Sequence, residues 1–193
     1  MPSTPSSSAH TATVTPMPFP VLSVAAWSGT GKTTLLTQLM PLLRDFGLHV
    51  GVIKHAHHSF DVDKPGKDSY ELRQAGASPM LVASHQRFAL MQETPEQQEP
   101  DLNHLLGLMV PHAPDLVIVE GFKAWPLAKL VLYREGVGEP AILDDAWVRA
   151  AALKAEDERT LRSDITRLDI DDIHAIAQWV RQWMLAAREA TVT

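Results

Sequence analysis

Apolar residues in this chain come in short dense runs, separated by stretches where they return every three or four positions. The first run, Val21-Leu22-Ser23-Val24-Ala25-Ala26, reads as a buried strand. A Gly-containing turn follows, and then Leu35, Leu36, Leu39, Leu42 and Leu43 recur at helical spacing, with Gly47 where that helix stops. His49 to Lys54 reads as a second strand. From His55 to Lys67 the chain turns polar and carries Pro65-Gly66, which predicts a loop. Asp68 to Ala75 is a short helix, and Met80 to Ser84 and Arg87 to Gln92 are two strands of a hairpin. Residues 93–100, with two prolines among Glu and Gln, form a surface loop. Leu102 to Val110 is helical, Asp115 to Val119 is a continuous apolar strand, and Lys129 to Tyr133 and Val148 to Leu153 are further strands. Ile173, Ile176, Val180 and Met184 share one face of a last helix, with Asp171 or Asp172 near its start and Trp179 and Trp183 packing one turn apart.

Strands that alternate with helices predict an α/β fold with a mostly parallel sheet flanked by helices, and the hairpin predicts a small antiparallel insertion. Residues 1–20 are rich in Ser, Thr and Pro and offer little to a core. They read as a disordered extension, with one domain over 21–190.

Composition narrows the classes of function. Hydrophobic residues make up 45% and charged residues 21% of 193, the balance of a globular chain. The net charge of −6 comes without any run of Lys or Arg, which argues against nucleic acid as a partner. There is no cysteine, so disulfides, thiolate metal sites and cysteine nucleophiles are all excluded. No stretch approaches the roughly 18 uninterrupted apolar residues of a membrane span. The first 20 residues hold no Lys or Arg for a signal-peptide n-region, so the expected location is cytoplasmic.

The chemistry gathers after the first strand. Ser28-Gly29-Thr30-Gly31-Lys32-Thr33-Thr34 matches the end of the G-x-x-x-x-G-K-[ST] pattern, with Ala26 in place of the first glycine. Its glycines let backbone N–H groups converge on phosphate oxygens, the lysine reaches the β- and γ-phosphates, and the next hydroxyl ligates magnesium. Its place between a buried strand and an amphipathic helix is the one the mechanism needs, since the helix start adds partial positive charge. The fold class is therefore that of a P-loop NTPase. Thr33 is the candidate magnesium ligand, and Thr34 supports the α-phosphate or the helix start.

Such a site also needs an acid at the end of a buried strand. Asp115 begins the strand over 115–119 and Glu120 follows it; the carboxyl end is where ligands gather, which favours Glu120. Gly121 would let the backbone pass near the phosphates. Asp61 and Asp63 lie in the loop after the second strand, where a carboxylate could orient water, hold magnesium through solvent, or simply make a turn. Asp63-Lys64-Pro65-Gly66 also fits D-x-x-G, a very short pattern, and it does not follow the strand that ends at Glu120. Lys54-His55-Ala56-His57-His58 could meet nucleotide, a partner or a metal, or simply be a polar stretch in solvent. The guanine-reading N-K-x-D is absent, because the single asparagine is Asn103 and His104 follows it.

Ala25 to Thr34, Ile53-Lys54-His55 with His57-His58, Asp61 to Ser69, and Val119-Glu120-Gly121-Phe122-Lys123, in that order, resemble the MobB family from about Val21 to the final helix. The resemblance implies a GTP-binding homodimer that uses Mg2+ and has weak GTPase activity. It implies a helper of MobA, the transferase that joins GMP to molybdopterin, in contact with molybdenum-insertion proteins and with molybdopterin itself as a further candidate ligand. Nucleotide contacts fall on Ser28 to Thr34, Lys32, Asp63 and Glu120 serve any hydrolysis, and Thr33 and Glu120 serve the metal. Two other readings fit the phosphate loop. An ATP-dependent small-molecule kinase would recruit Arg73 and Arg87 to a lid, and an adapter would hold nucleotide without turnover.

Overall fold

The dense apolar runs pair side by side, because a strand buried on both faces can satisfy its backbone only against like neighbours. The computed structural model describes residues 13–56, 60–95 and 99–192. In chain order its elements begin with β1 (Val21–Ala26), α1 (Lys32–Asp45), β2 (Val50–Lys54), α2 (Asp68–Gln74), β3 (Met80–Ala83) and β4 (Phe88–Met91). They continue with α3 (Leu102–Met109), β5 (Leu116–Glu120), β6 (Lys129–Leu132), β7 (Val148–Leu153), β8 (Thr166–Asp169) and α4 (Ile173–Val192). Two compact units divide the span expected as one domain: residues up to His55 together with those from Asp101, and residues 56–100.

In the first unit six strands form one sheet in the order β2-β5-β1-β6-β7-β8, with every neighbouring pair parallel. Side chains alternate between its faces. Leu22, Val24, Leu116 and Ile118 point to the face covered by Leu35, Leu39 and Leu43 of α1 and by Ile176, Val180 and Met184 of α4. Val117 and Val119 point the other way, onto Leu102 and Leu106 of α3. A third cluster packs Val131, Val148 and Leu153 against Leu143 in the 3-10 turn Pro140–Asp144. The α/β fold with a parallel sheet flanked by helices is therefore as expected, and β3 and β4 form the antiparallel pair of the 56–100 unit.

Three details differ from the sequence reading. β8 pairs with β7 although its Thr-Arg-Leu-Asp carries a single apolar residue. Asp172, at the head of α4, accepts the Ala175 N–H at 2.9 Å as a helix cap, whereas Asp171 is drawn into ion pairs. The extension also divides. Residues 1–12 lie outside the described residues, but Thr15 N–H donates to Asn103 Oδ1 at 2.9 Å, and Phe19 is buried beside Val117 and Leu106. Composition hides this, since Phe19, with Val14 and Met17 packed on the same cluster, anchors a segment that is mostly Ser, Thr and Pro. Phe19→Ala should lower unfolding free energy by about 3 kcal/mol, the usual cost of emptying a buried aromatic site, as read from chemical denaturation. No change in the midpoint would mean that order begins only at β1.

Candidate functional site

The loop between β1 and α1 is built for close approach to its backbone. Gly29 and Gly31 adopt φ of 83° and 101°, a region that side chains other than glycine rarely enter. Gly31 is the N-cap of α1, and no side chain caps this helix start. No acidic residue stands in its first turn, so its N–H groups and dipole face outward as an anion site. Thr30 is buried, and its hydroxyl Oγ1 has no hydrogen-bond partner within the described chain. Ala26, in place of the pattern's first glycine, is the last residue of β1 and is buried, so the substitution does not disturb the turn.

Lys32 opens α1, and its Nζ stands 3.1 Å from Glu120 Oε1. The sheet makes this pair. Leu116 and Ile118 face α1, so Glu120, at the same parity of β5, faces it too. Lys54 at the end of β2 lies beside Glu120 in register, with Nζ 3.7 Å from the same oxygen. Asp115, at the opposite end of the β5 run, accepts the His49 N–H at 2.8 Å and a bond from Arg188 at 2.7 Å. The His49 N–H above all, and then Arg188, hold its carboxyl below the usual carboxylate range against the effect of burial. Asp115 is thus a tether at the amino edge of the sheet, and Glu120 is the acid beside the phosphate loop.

Gly121 serves a different purpose from the one read in the sequence. Its φ is 103°, and a Cβ there would meet His55 Cβ at 2.9 Å and His55 O at 3.2 Å. The glycine lets the ends of β5 and β2 run against each other, tied by the His55 N–H to Glu120 O at 2.8 Å. The His55 ring lies 4.9 Å from that of Phe122. His57 and His58 lie outside the described residues, and among the described residues no group of three or more His, Asp or Glu could hold a metal.

Three cations outside the phosphate loop stand out. Arg134, just past β6, donates from Nε to Thr30 O at 3.0 Å and so pins the phosphate loop from behind. Its place after the carboxyl end of a parallel strand is the signal that could have found it. Lys123 sits over the Trp27 ring, Nζ 4.7 Å from the centroid, while Trp27 Nε1 donates to Glu139 O at 2.9 Å. Burial, and then the charge of Lys32, push the Lys123 ammonium below its ordinary value. Arg73 belongs to the 56–100 unit, where it bonds both oxygens of Asp61 at 2.6 and 2.7 Å and Glu93 at 3.1 Å. Asp63 lies in the same cluster, with Oδ2 3.9 Å from Arg73 Nε and Oδ1 accepting the Lys64 N–H at 3.0 Å. Asp61 and Asp63 are therefore gathered around the half-buried Arg73, and Lys32, Glu120 and residues 28–34 around the end of the sheet.

The chain can now be set beside known proteins. The family model for Molybdopterin guanine dinucleotide synthesis protein B, MobB, matches residues 21–154. A curated protein of Escherichia coli (strain K12), the molybdopterin-guanine dinucleotide biosynthesis adapter protein, is 49% identical over 168 residues, or 86% of this chain and 93% of that one. The protein of the same description in Haemophilus influenzae is 40% identical over 165 residues, covering 86% and 89%. Among solved structures, Bacillus subtilis MobB is similar at a TM-score of 0.68 and 25% identity, over 85% of this chain and 98% of that one.

Proposed function

The chain belongs to the MobB family, and on that premise we propose that it is a GTP-binding accessory protein of molybdopterin-guanine dinucleotide synthesis with weak GTPase activity. The observation that carries the reading is the uncapped, glycine-turned start of α1 with Lys32 paired to the strand-end acid Glu120 at 3.1 Å. Backbone N–H groups from Gly29 to Thr33 would receive phosphate oxygens. Lys32 would exchange its carboxylate partner for the γ-phosphate, so its charge is matched before and after binding. The donor set also fits Mg2+, which takes few protein ligands and completes its shell with phosphate and water. Thr33 Oγ1 and Glu120 would hold the ion, and when bound it would neutralise charge on the β- and γ-phosphates. Water attack on the γ-phosphorus breaks its bond to the β-γ bridging oxygen and leaves GDP and phosphate. Glu120 would orient that water.

The curated relatives are described as adapter proteins, which supports a role beside MobA and molybdenum-insertion proteins. An adapter that holds GTP without turnover is the neighbouring reading, favoured by the engagement of Asp63 with Arg73. The kinase reading loses one of its two lid candidates, because the half-buried Arg73 is held by Asp61 and Glu93, which leaves Arg87 alone. No helix among the described residues is long and apolar enough to cross a membrane. We also propose a homodimer: Leu81 opposes Leu90 in the hairpin, Phe88 lies two residues along the same face, and all three are exposed.

Lys32→Ala should weaken Mg·GTP binding on the order of tenfold or more in equilibrium titration, and should abolish any slow phosphate release together with GTP-dependent capture of MobA. Unchanged affinity and turnover would show that the phosphates bind elsewhere. Sedimentation equilibrium should return twice the mass of the chain, and Leu90→Asp should halve it. A monomer before substitution would remove the dimer from the account.

A further inference from the structure

GTP carries a base as well as phosphates, and the N-K-x-D signature that would read it is absent from this chain. A cavity of about 530 Å³ opens directly beside the phosphate loop, with Gly29, Thr30, Gly31 and Thr34 among its lining residues and Arg134 and Asp171 facing them. It lies at the carboxyl ends of β6 and β8, where the remainder of a nucleotide must lie if its phosphates fill the loop. Its two charged groups are organised. Arg134 reaches from the Thr30 carbonyl, at 3.0 Å, to Asp171 Oδ1, at 3.7 Å from its other end. Lys154 Nζ bonds Asp171 Oδ2. Each oxygen of the carboxylate therefore has one cationic neighbour and further lone pairs to offer.

We propose that this cavity is the nucleobase subsite and that Asp171 selects guanine by accepting its N1–H and N2–H groups. The inference rests on the reading of residues 28–34 as the GTP phosphate loop. The discrimination is a matter of hydrogen-bond sense. Guanine presents two adjacent donors to a carboxylate, whereas adenine presents the N1 lone pair in that place, and a site built on acceptors rejects it. Lys154 and Arg134 keep Asp171 ionised and aimed, since the Lys154 hydrogen bond, and then the Arg134 charge, hold its carboxyl below the usual range. The flat Arg134 guanidinium offers a surface against the base, and its bond to Thr30 O couples base and phosphate subsites through one side chain. Residues that bond only to hold the β8–α4 corner together would show none of this selectivity.

The test uses the full chain with Mg2+ and four ligands: inorganic tripolyphosphate, GTP, ATP and xanthosine triphosphate. Xanthine carries a carbonyl where guanine carries the N2 amine, so it complements an amide and clashes with a carboxylate. The unaltered protein should prefer GTP to both ATP and the xanthosine nucleotide. Asp171→Asn should move the ratio of GTP to xanthosine triphosphate affinity toward xanthine by on the order of tenfold or more, with tripolyphosphate affinity unchanged. If Asp171→Asn leaves that ratio unchanged while tripolyphosphate still binds, the base subsite is wrong and the phosphate loop stands. If the unaltered protein binds no tripolyphosphate, the phosphate-loop reading fails, and the base subsite fails with it.

Discussion

The parallel register of β5 between β1 and β2 is the constraint on which the site depends. It sets Val24 of β1 and Lys54 of β2 on either side of Glu120. Alternation along β5 then decides which way Glu120 points. Leu116 and Ile118 are committed to the core under α1, so the carboxylate at the next position of the same parity must face α1 as well. A one-residue slip would turn Glu120 to the α3 face and leave Lys32 without its partner at 3.1 Å. The hydrophobic effect that fixes the sheet thereby also fixes a charge pair at its edge. Gly121 belongs to the same constraint, because only glycine lets β5 leave the sheet against His55.

Electrostatics at this edge run against the chain as a whole. The net charge is −6, yet Lys32, Lys54, Lys123 and Arg134 all gather at the carboxyl ends of β1, β2, β5 and β6. Burial above all, and then the charge of Lys32, lower the Lys123 ammonium below its ordinary value. An anion entering here relieves that repulsion and meets the outward dipole of α1. On the proposed reading, a triphosphate would meet the local field at this edge rather than the net negative charge of the chain.

Much of this was legible in the sequence, for physical reasons that differ from residue to residue. β1, β5 and β7 announce themselves because strands buried on both faces are nearly continuous in apolar residues. The turn after β1 is legible because its backbone demands glycine, and Glu120 because a carboxyl end is where chemistry collects. β8 is not legible: as an edge strand it needs only Leu168 to reach the core, and polar neighbours hide the period. Phe19 is missed because it stands between Pro18 and Pro20, although burial of its ring outweighs that local composition. What Arg134 and Lys123 touch is not legible, since their partners Thr30 and Trp27 lie far off in sequence. Arg134 meets Thr30 across 104 positions, so only its place just past the carboxyl end of β6 points to it.

The most direct test of the central claim is to watch the backbone amides of the loop as Mg·GTP is added, by nuclear magnetic resonance of the labelled full chain. N–H groups that grasp phosphate oxygens shift strongly on binding, whatever the rate of turnover. The account predicts that the amides of Gly29, Gly31, Lys32 and Thr33 move most, and that tripolyphosphate alone reproduces those shifts. Saturable GTP binding that leaves these four amides in place would contradict it.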